Sequence, residues 1–224
     1  AARAGASSRM VDLDVPCGAA NSGLLPETTC RILRNIADNT MMLRDRLFAV
    51  VASVGEDKCD GARFVASLLR SHGVSVDEVR NLNEAPSPVL ISSSTLPLRQ
   101  KVTAIMDSVA APSAISPRQC EPTHGFWGVP PNDLSLLALF PATTHVYGWV
   151  RSVEAGVPSS LEMERMVAPG VPTVFFVQTF CQKQIIAHEL AARHGGLVVD
   201  IDSDLTQTAR VKIEAFISLR NRQL

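Results

Sequence analysis

The sequence predicts a three-layer, Rossmann-like α/β domain, with helices on both faces of a mostly parallel sheet of about five strands. Two observations carry that expectation. The stretch VPTVFFVQTFCQKQIIAHELAARHGGLVVDIDSD, residues 171–204, reads strand, helix, strand. Its two strand runs, 173–177 and 197–201, are continuous apolar stretches of the kind buried on both sheet faces. Two such strands joined by a helical crossover lie parallel. The first half of the chain repeats the same alternation of strand and helix.

Taken in order, residues 1–10, AARAGASSRM, hold Ala, Ser and Arg and no acid. That composition suits the tail of an organellar transit peptide, and almost as well an ordinary terminus. Residues 1–25 form an extended lead-in with Pro16, Gly18 and Gly23. Pro26 fits the first turn of a helix striped by Ile32, Leu33 and Ile36. Residues 47–54, LFAVVASV, also fit helical spacing, but Gly55 and an amphipathic helix directly after them favour a buried strand. That helix, 60–72, buries Val65, Leu68 and Leu69 and stops at Gly73. Short strands are expected at 74–79 and 88–92. In 97–110, Leu98, Val102, Ile105, Met106 and Val109 form one helical stripe, with Arg99, Lys101 and Asp107 outside it.

Residues 111–131 hold five prolines and two glycines and are expected to be irregular, a connection between halves 26–110 and 132–224 of one compact domain. Asn132 is expected to cap a short helix to Leu139, and 144–151, THVYGWVR, alternates as a strand. Ser159 with Glu162, and Asp204 with Gln207, have capping-box spacing. The last helix carries Leu205, Ala209, Ile213, Phe216 and Ile217 on its apolar stripe.

A formal charge of −1 with 19% charged residues gives no steering field toward nucleic acid or an anionic membrane. No apolar run approaches the ~20 residues of a membrane span. Five cysteines at wide spacing, without a CxxC pair, give neither a disulfide framework nor a zinc knuckle. Reduced, mostly buried thiols are expected, in a mitochondrial or otherwise cytoplasmic setting.

In parallel sheets ligands bind beyond the carboxyl ends of the strands. There, residues 175–177, Lys183 and 187–195 resemble an adenylate-kinase-type P-loop unit. The loop QTFCQKQ, 178–184, departs from it: no glycine wraps phosphate, and Gln184 stands where a magnesium-binding Ser or Thr belongs. The run 47–79, continued by 89–109, is similar to the opening of cobalamin-binding domains. Their D-x-H-x-x-G motif meets Asp57, then Cys59 at the cobalt-ligand position, and Gly61 one residue early. His188, Glu189 and His194 lack the i,i+4 histidine pair of a zinc protease helix. Asp200, Asp202 and Asp204 begin like a calcium loop, but Leu205 and Val211 replace its Gly and Glu.

The sequence thus supports a non-catalytic accessory or structural subunit of a larger assembly, with no cofactor, metal or catalytic residue assigned. Other protein subunits are the expected partners, through Trp127 of the 111–131 segment and the face shared by His145, Tyr147 and Trp149. His124 adds to the same polar-aromatic region, which equally suits a ligand pocket. The alternative is a phosphate- or nucleotide-binding protein, or a phosphotransferase-like enzyme, using Lys183, Asp200 and Asp202.

Overall fold

Strand β5 (Thr173–Val177) is buried at every position, as its unbroken apolar run demands. It belongs to a computed structural model that describes residues 9–18, 21–56, 58–83, 87–88, 90–110, 116–202 and 206–221. Around β5 lie β3 (His124–Gly128), β4 (Thr144–Tyr147) and β6 (Leu197–Asp200), in the order β4-β3-β5-β6 with every pair parallel. A second sheet holds only β1 (Val50–Val54) and β2 (Val76–Arg80), also parallel. The chain is therefore an α/β protein of Rossmann-like type, with parallel sheets of four and two strands flanked by helices. The single sheet of about five strands is corrected to this division, because among the described residues β1 and β2 form a ladder only with each other.

Period-two alternation sorts the four-stranded sheet into two faces. Phe126, Val146, Val174, Phe176 and Val199 point one way. They pack under α3 (Leu98–Asp107), α4 (Gly148–Glu154) and α7 (Thr206–Asn221) through Ile105, Val150 and Ile213. Trp127, Phe175 and Val177 point the other way, against Ala187, Leu190 and Ala191 of α6 (Gln184–His194). Helices thus cover both faces. In α6 the apolar stripe is anchored by Leu190, 5% exposed, and Gly195 ends the helix in the left-handed conformation at φ 65°.

The smaller sheet packs one face on α1 (Arg31–Leu43) and α2 (Asp60–Ser71), with Leu33, Val50, Val65, Leu69 and Val74 as its core. It is tied to the loop after α4: the Lys58 ammonium donates to the Pro158 carbonyl, and the Asn81 amide to Gly156 O at 3.1 Å.

Several expectations change. Residues 124–128 are not irregular but form β3, the wholly buried inner strand. Gly125 and Gly128 are what permit this: a Cβ would fall 2.3 Å from Thr173 Oγ1 at Gly125 and 2.1 Å from the Phe176 carbonyl at Gly128. The strand expected through 151 stops at Tyr147, because Gly148 takes φ 70° and opens α4 at once. Leu90–Ser92 is a turn rather than a strand, and Val89 lies outside the described residues. Asp133, not Asn132, caps the 3-10 turn Leu134–Leu139. Ser160, not Ser159, caps α5 (Leu161–Arg165). Asp57, Asp204 and Leu205 also lie outside the described residues. The five thiols are free but not buried: Cys17 and Cys59 are exposed, and Cys30, Cys120 and Cys181 intermediate.

Candidate functional site

From β3 the chain steps to β4 on one side, then crosses to β5 on the other, so the strand order reverses between β3 and β5. The carboxyl ends of those two strands are where such sheets place a ligand crevice. Gly128, Val177, Gln178, Cys181 and Lys183 line a cavity of about 20 Å³ there. That is room for one water rather than a nucleotide. A second cavity, about 40 Å³, lies beyond β6 between Asn132, Ile201 and Thr206.

Three donors of the loop into α6 are satisfied internally. The N–H groups of Cys181, Gln184 and Ile185 donate to Gln178, Cys181 and Gln182 carbonyls at 2.9, 3.0 and 3.0 Å. A phosphate cradle needs such groups free and convergent. Lys183 is not in open solvent as a capped turn would leave it. Its ammonium donates to the carboxylate of Glu164 on α5, whose side chain is 1% exposed against 28% for Lys183. A buried carboxylate is costly unless paired, so this ammonium serves as its counter-ion.

Asp200 accepts from the Thr179 hydroxyl and, at 2.9 Å, from the Asp202 N–H. Asp202, beyond the strand end, lies 3.8 Å from the Arg31 guanidinium. Burial pushes its carboxyl upward, Arg31 pulls it down, Asp200 pushes it up, and Arg34 pulls it down. Gln178, 3% exposed, accepts from the Cys30 thiol at 2.9 Å, so the start of α1 sits on the end of β5. The structure thus brings Asp200 and Asp202 side by side and commits Lys183 to Glu164. His188 is exposed on α6, where Glu189 pairs with Arg193 at 2.6 Å, as a solvated helix flank does.

The aromatic residues expected at a partner surface divide. Trp127 is 2% exposed, its ring centroid 5.7 Å from that of Phe175 and its indole N–H donating to Glu164 O at 2.7 Å. Trp149, 8% exposed, belongs to α4 and not to the strand. Both are core side chains, so the three-residue face reduces to His145 and Tyr147, half-buried with ring centroids 6.3 Å apart. Burial pushes the Tyr147 phenol up to about 12. His124 is buried at the start of β3, where burial pulls its imidazole below the usual range.

Glu164, Gln178 and Lys101 escaped the sequence reading. Lys101, placed outside the stripe of α3, is fully buried and donates to Ala142 O at 3.0 Å and Thr144 O at 2.5 Å. Burial pulls its ammonium down to about 8, with Cys120 opposing. Only the distance between the helix and the start of β4 reveals this role; no local pattern marks it. No protein-family model matches the chain, and neither a curated protein nor a solved structure shows significant similarity to it. Fold and geometry together define the chain as a Rossmann-like α/β protein whose ligand edge is engaged by its own side chains.

Proposed function

We propose that the chain is a non-catalytic accessory or structural subunit of a larger protein assembly, built on a fold that more often carries enzymes. One observation carries the reading: the polar groups at the carboxyl edge of the inner strands are taken up internally, Lys183 by Glu164, Gln178 by Cys30, Thr179 by Asp200. A nucleotide at this edge would have to displace Lys183 from a buried carboxylate and approach Asp200 and Asp202, which repel phosphate.

The β1–β2 sheet adds support for partners. Val51 and Val79 are exposed on its uncovered face, at 54% and 45%, and Phe48 and Phe64 of the same unit reach 73% and 75%. Parallel strands are ordinarily covered on both faces, and a two-stranded sheet alone is marginal. Large exposed apolar side chains in such a unit are the composition of a protein contact.

The test is the state of the protein at its natural abundance. Sedimentation of a gentle extract should place the chain in a complex far larger than 24.1 kDa. A monomer there, or a melting shift with Mg-ATP that Lys183→Ala abolishes, overturns the proposal in favour of a nucleotide-binding protein. Ligand at 100 times its Kd should add ~2.7 kcal/mol to stability.

A further inference from the structure

The two edges of the small sheet are finished differently. The Val50 N–H donates to Ser75 O at 2.8 Å and the Asn81 N–H to Val54 O at 2.9 Å, which fixes the phase of the parallel ladder. Val50, Ala52 and Val54 turn their amides and carbonyls toward β2, so Val51 and Ser53 turn theirs away from it. Among the described residues, neither Val51 nor Ser53 has a backbone hydrogen bond on that outward side. Both are exposed. The strand reads VVASV, with no charge and no proline to discourage a neighbour.

The other outer strands are guarded. On the outward side of β2, the Arg70 guanidinium donates to Val76 O at 3.1 Å and pairs with Glu78 at 2.8 Å, and exposed Arg80 follows. In the large sheet, the Val146 N–H of β4 donates to Ser92 O at 3.0 Å, and Thr144 O accepts from Lys101. β6 ends its outward side on charged Asp200. A row of open backbone donors and acceptors is a template for another strand, and charges or side-chain caps of this kind blunt it. β1 has neither.

We propose that β1 is the pairing edge of a homodimer and takes β1 of a second copy in antiparallel register. The inference rests on the reading of the β1–β2 unit as a protein contact and names its occupant. A two-fold axis through Ala52 sets Val51 opposite Ser53 of the second copy, and Val50 opposite Val54 of the second copy. Val51 and Ser53 then exchange both backbone hydrogen bonds across the joint, and the same pair repeats on the other side of the axis. Their outward amides and carbonyls are all used. The pairing sets no like charges together, because β1 carries none. β2 paired about its own centre would face Glu78 with Glu78, which repel. The axis runs perpendicular to the sheet, so α1 and α2 of both copies stay on one face, and the face of Val51 and Val79 remains open. A two-stranded sheet, marginal alone, becomes a continuous one in the order β2-β1-β1-β2.

The experiment is sedimentation of the purified full chain over a concentration series, with amide exchange read residue by residue. The expected species is a dimer of twice 24.1 kDa, in which the Val51 and Ser53 amides are protected and become fast-exchanging on dilution to monomer. Val51→Lys with Ser53→Lys places like charges directly opposite at exposed positions and should leave a folded monomer. Ala52→Cys should give, on mild oxidation, a peptide cross-linked to itself through position 52. A wild-type monomer at every concentration, or a dimer in which the Val51 and Ser53 amides exchange freely, overturns the proposal. The wild-type protein alone decides this, so a poorly folding variant leaves it falsifiable. A purified monomer alongside a large complex in the extract would overturn the homodimer and leave the accessory reading standing. A purified dimer without such a complex would do the reverse.

Discussion

The Lys183 ammonium meets the Glu164 carboxylate where α5 and the turn into α6 come together, with the Glu164 side chain 1% exposed. Lys183→Ala leaves that carboxylate buried without its partner. The expected cost is ~3 kcal/mol, the low end for breaking a buried pair because Lys183 itself is partly wet. Urea denaturation measures it. Lys183→Met with Glu164→Gln should cost less than Lys183→Met alone, since the double variant leaves no uncompensated charge. A single-variant cost below ~0.5 kcal/mol would mean that the pair behaves as a surface contact.

Both tryptophans of the chain, Trp127 and Trp149, are buried. Fluorescence of the folded protein should therefore be blue-shifted and poorly quenched by iodide, moving red on unfolding. Trp127→Ala removes a ring packed between the sheet and α6 and an indole bond to Glu164 O, at an expected ~3–5 kcal/mol. Ready iodide quenching of the native protein would contradict this packing.

Gly148 stands at φ 70°, where a Cβ would meet Gly128 N at 2.7 Å and the Trp127 ring at 2.9 Å. Gly148→Ala combines backbone strain with a clash and should cost upward of ~3 kcal/mol. Gly156, at φ 74° with open space around it, is the control. Gly156→Ala should cost only the ~1 kcal/mol of the left-handed conformation. Equal costs would mean that the chain relaxes around Gly148, as thermal melting would reveal.

What could be read directly from residues was what local chemistry decides. The β5-α6-β6 unit was legible because buried parallel strands are unbroken apolar runs and Gly195 ends the helix between them. Strand β3 was not, because His124–Gly128 contains two glycines, which count against a strand in isolation. Their value appears only when Thr173 and Phe176 arrive from a distant part of the chain. Lys101 fell outside an apolar stripe on chemistry alone, yet its long stem lies in the core and its tip caps two carbonyls. At the candidate site, Lys183, Asp200 and Asp202 were visible as residue types. Their partners Glu164, Thr179 and Arg31 depend on tertiary contact.

Lys101 also sets a pH dependence. Its folded pKa of about 8 lies below the ordinary 10.5, so between these values the unfolded chain holds a proton the native state has released. Stability contributed by this group rises with pH across that window, and is lost again as pH falls through about 8. Relative to Lys101→Met, the wild type should gain ~2–3 kcal/mol between the two ends of the window. A constant difference in denaturation free energy across it would mean that Lys101 titrates normally.

The central position of β3 has a consequence for the chain as it is made. β3 pairs with β4 soon after both emerge, but its other edge waits for β5, which begins at Thr173. Until then His124–Gly128 offers a row of unpaired amides flanked by Phe126 and Trp127, the kind of edge that templates aggregation. Synthesis that stalls within this interval leaves a nascent chain dependent on chaperones, and such non-local pairing slows folding. Fragments ending before Thr173 should accumulate in the insoluble fraction, while the complete chain does not.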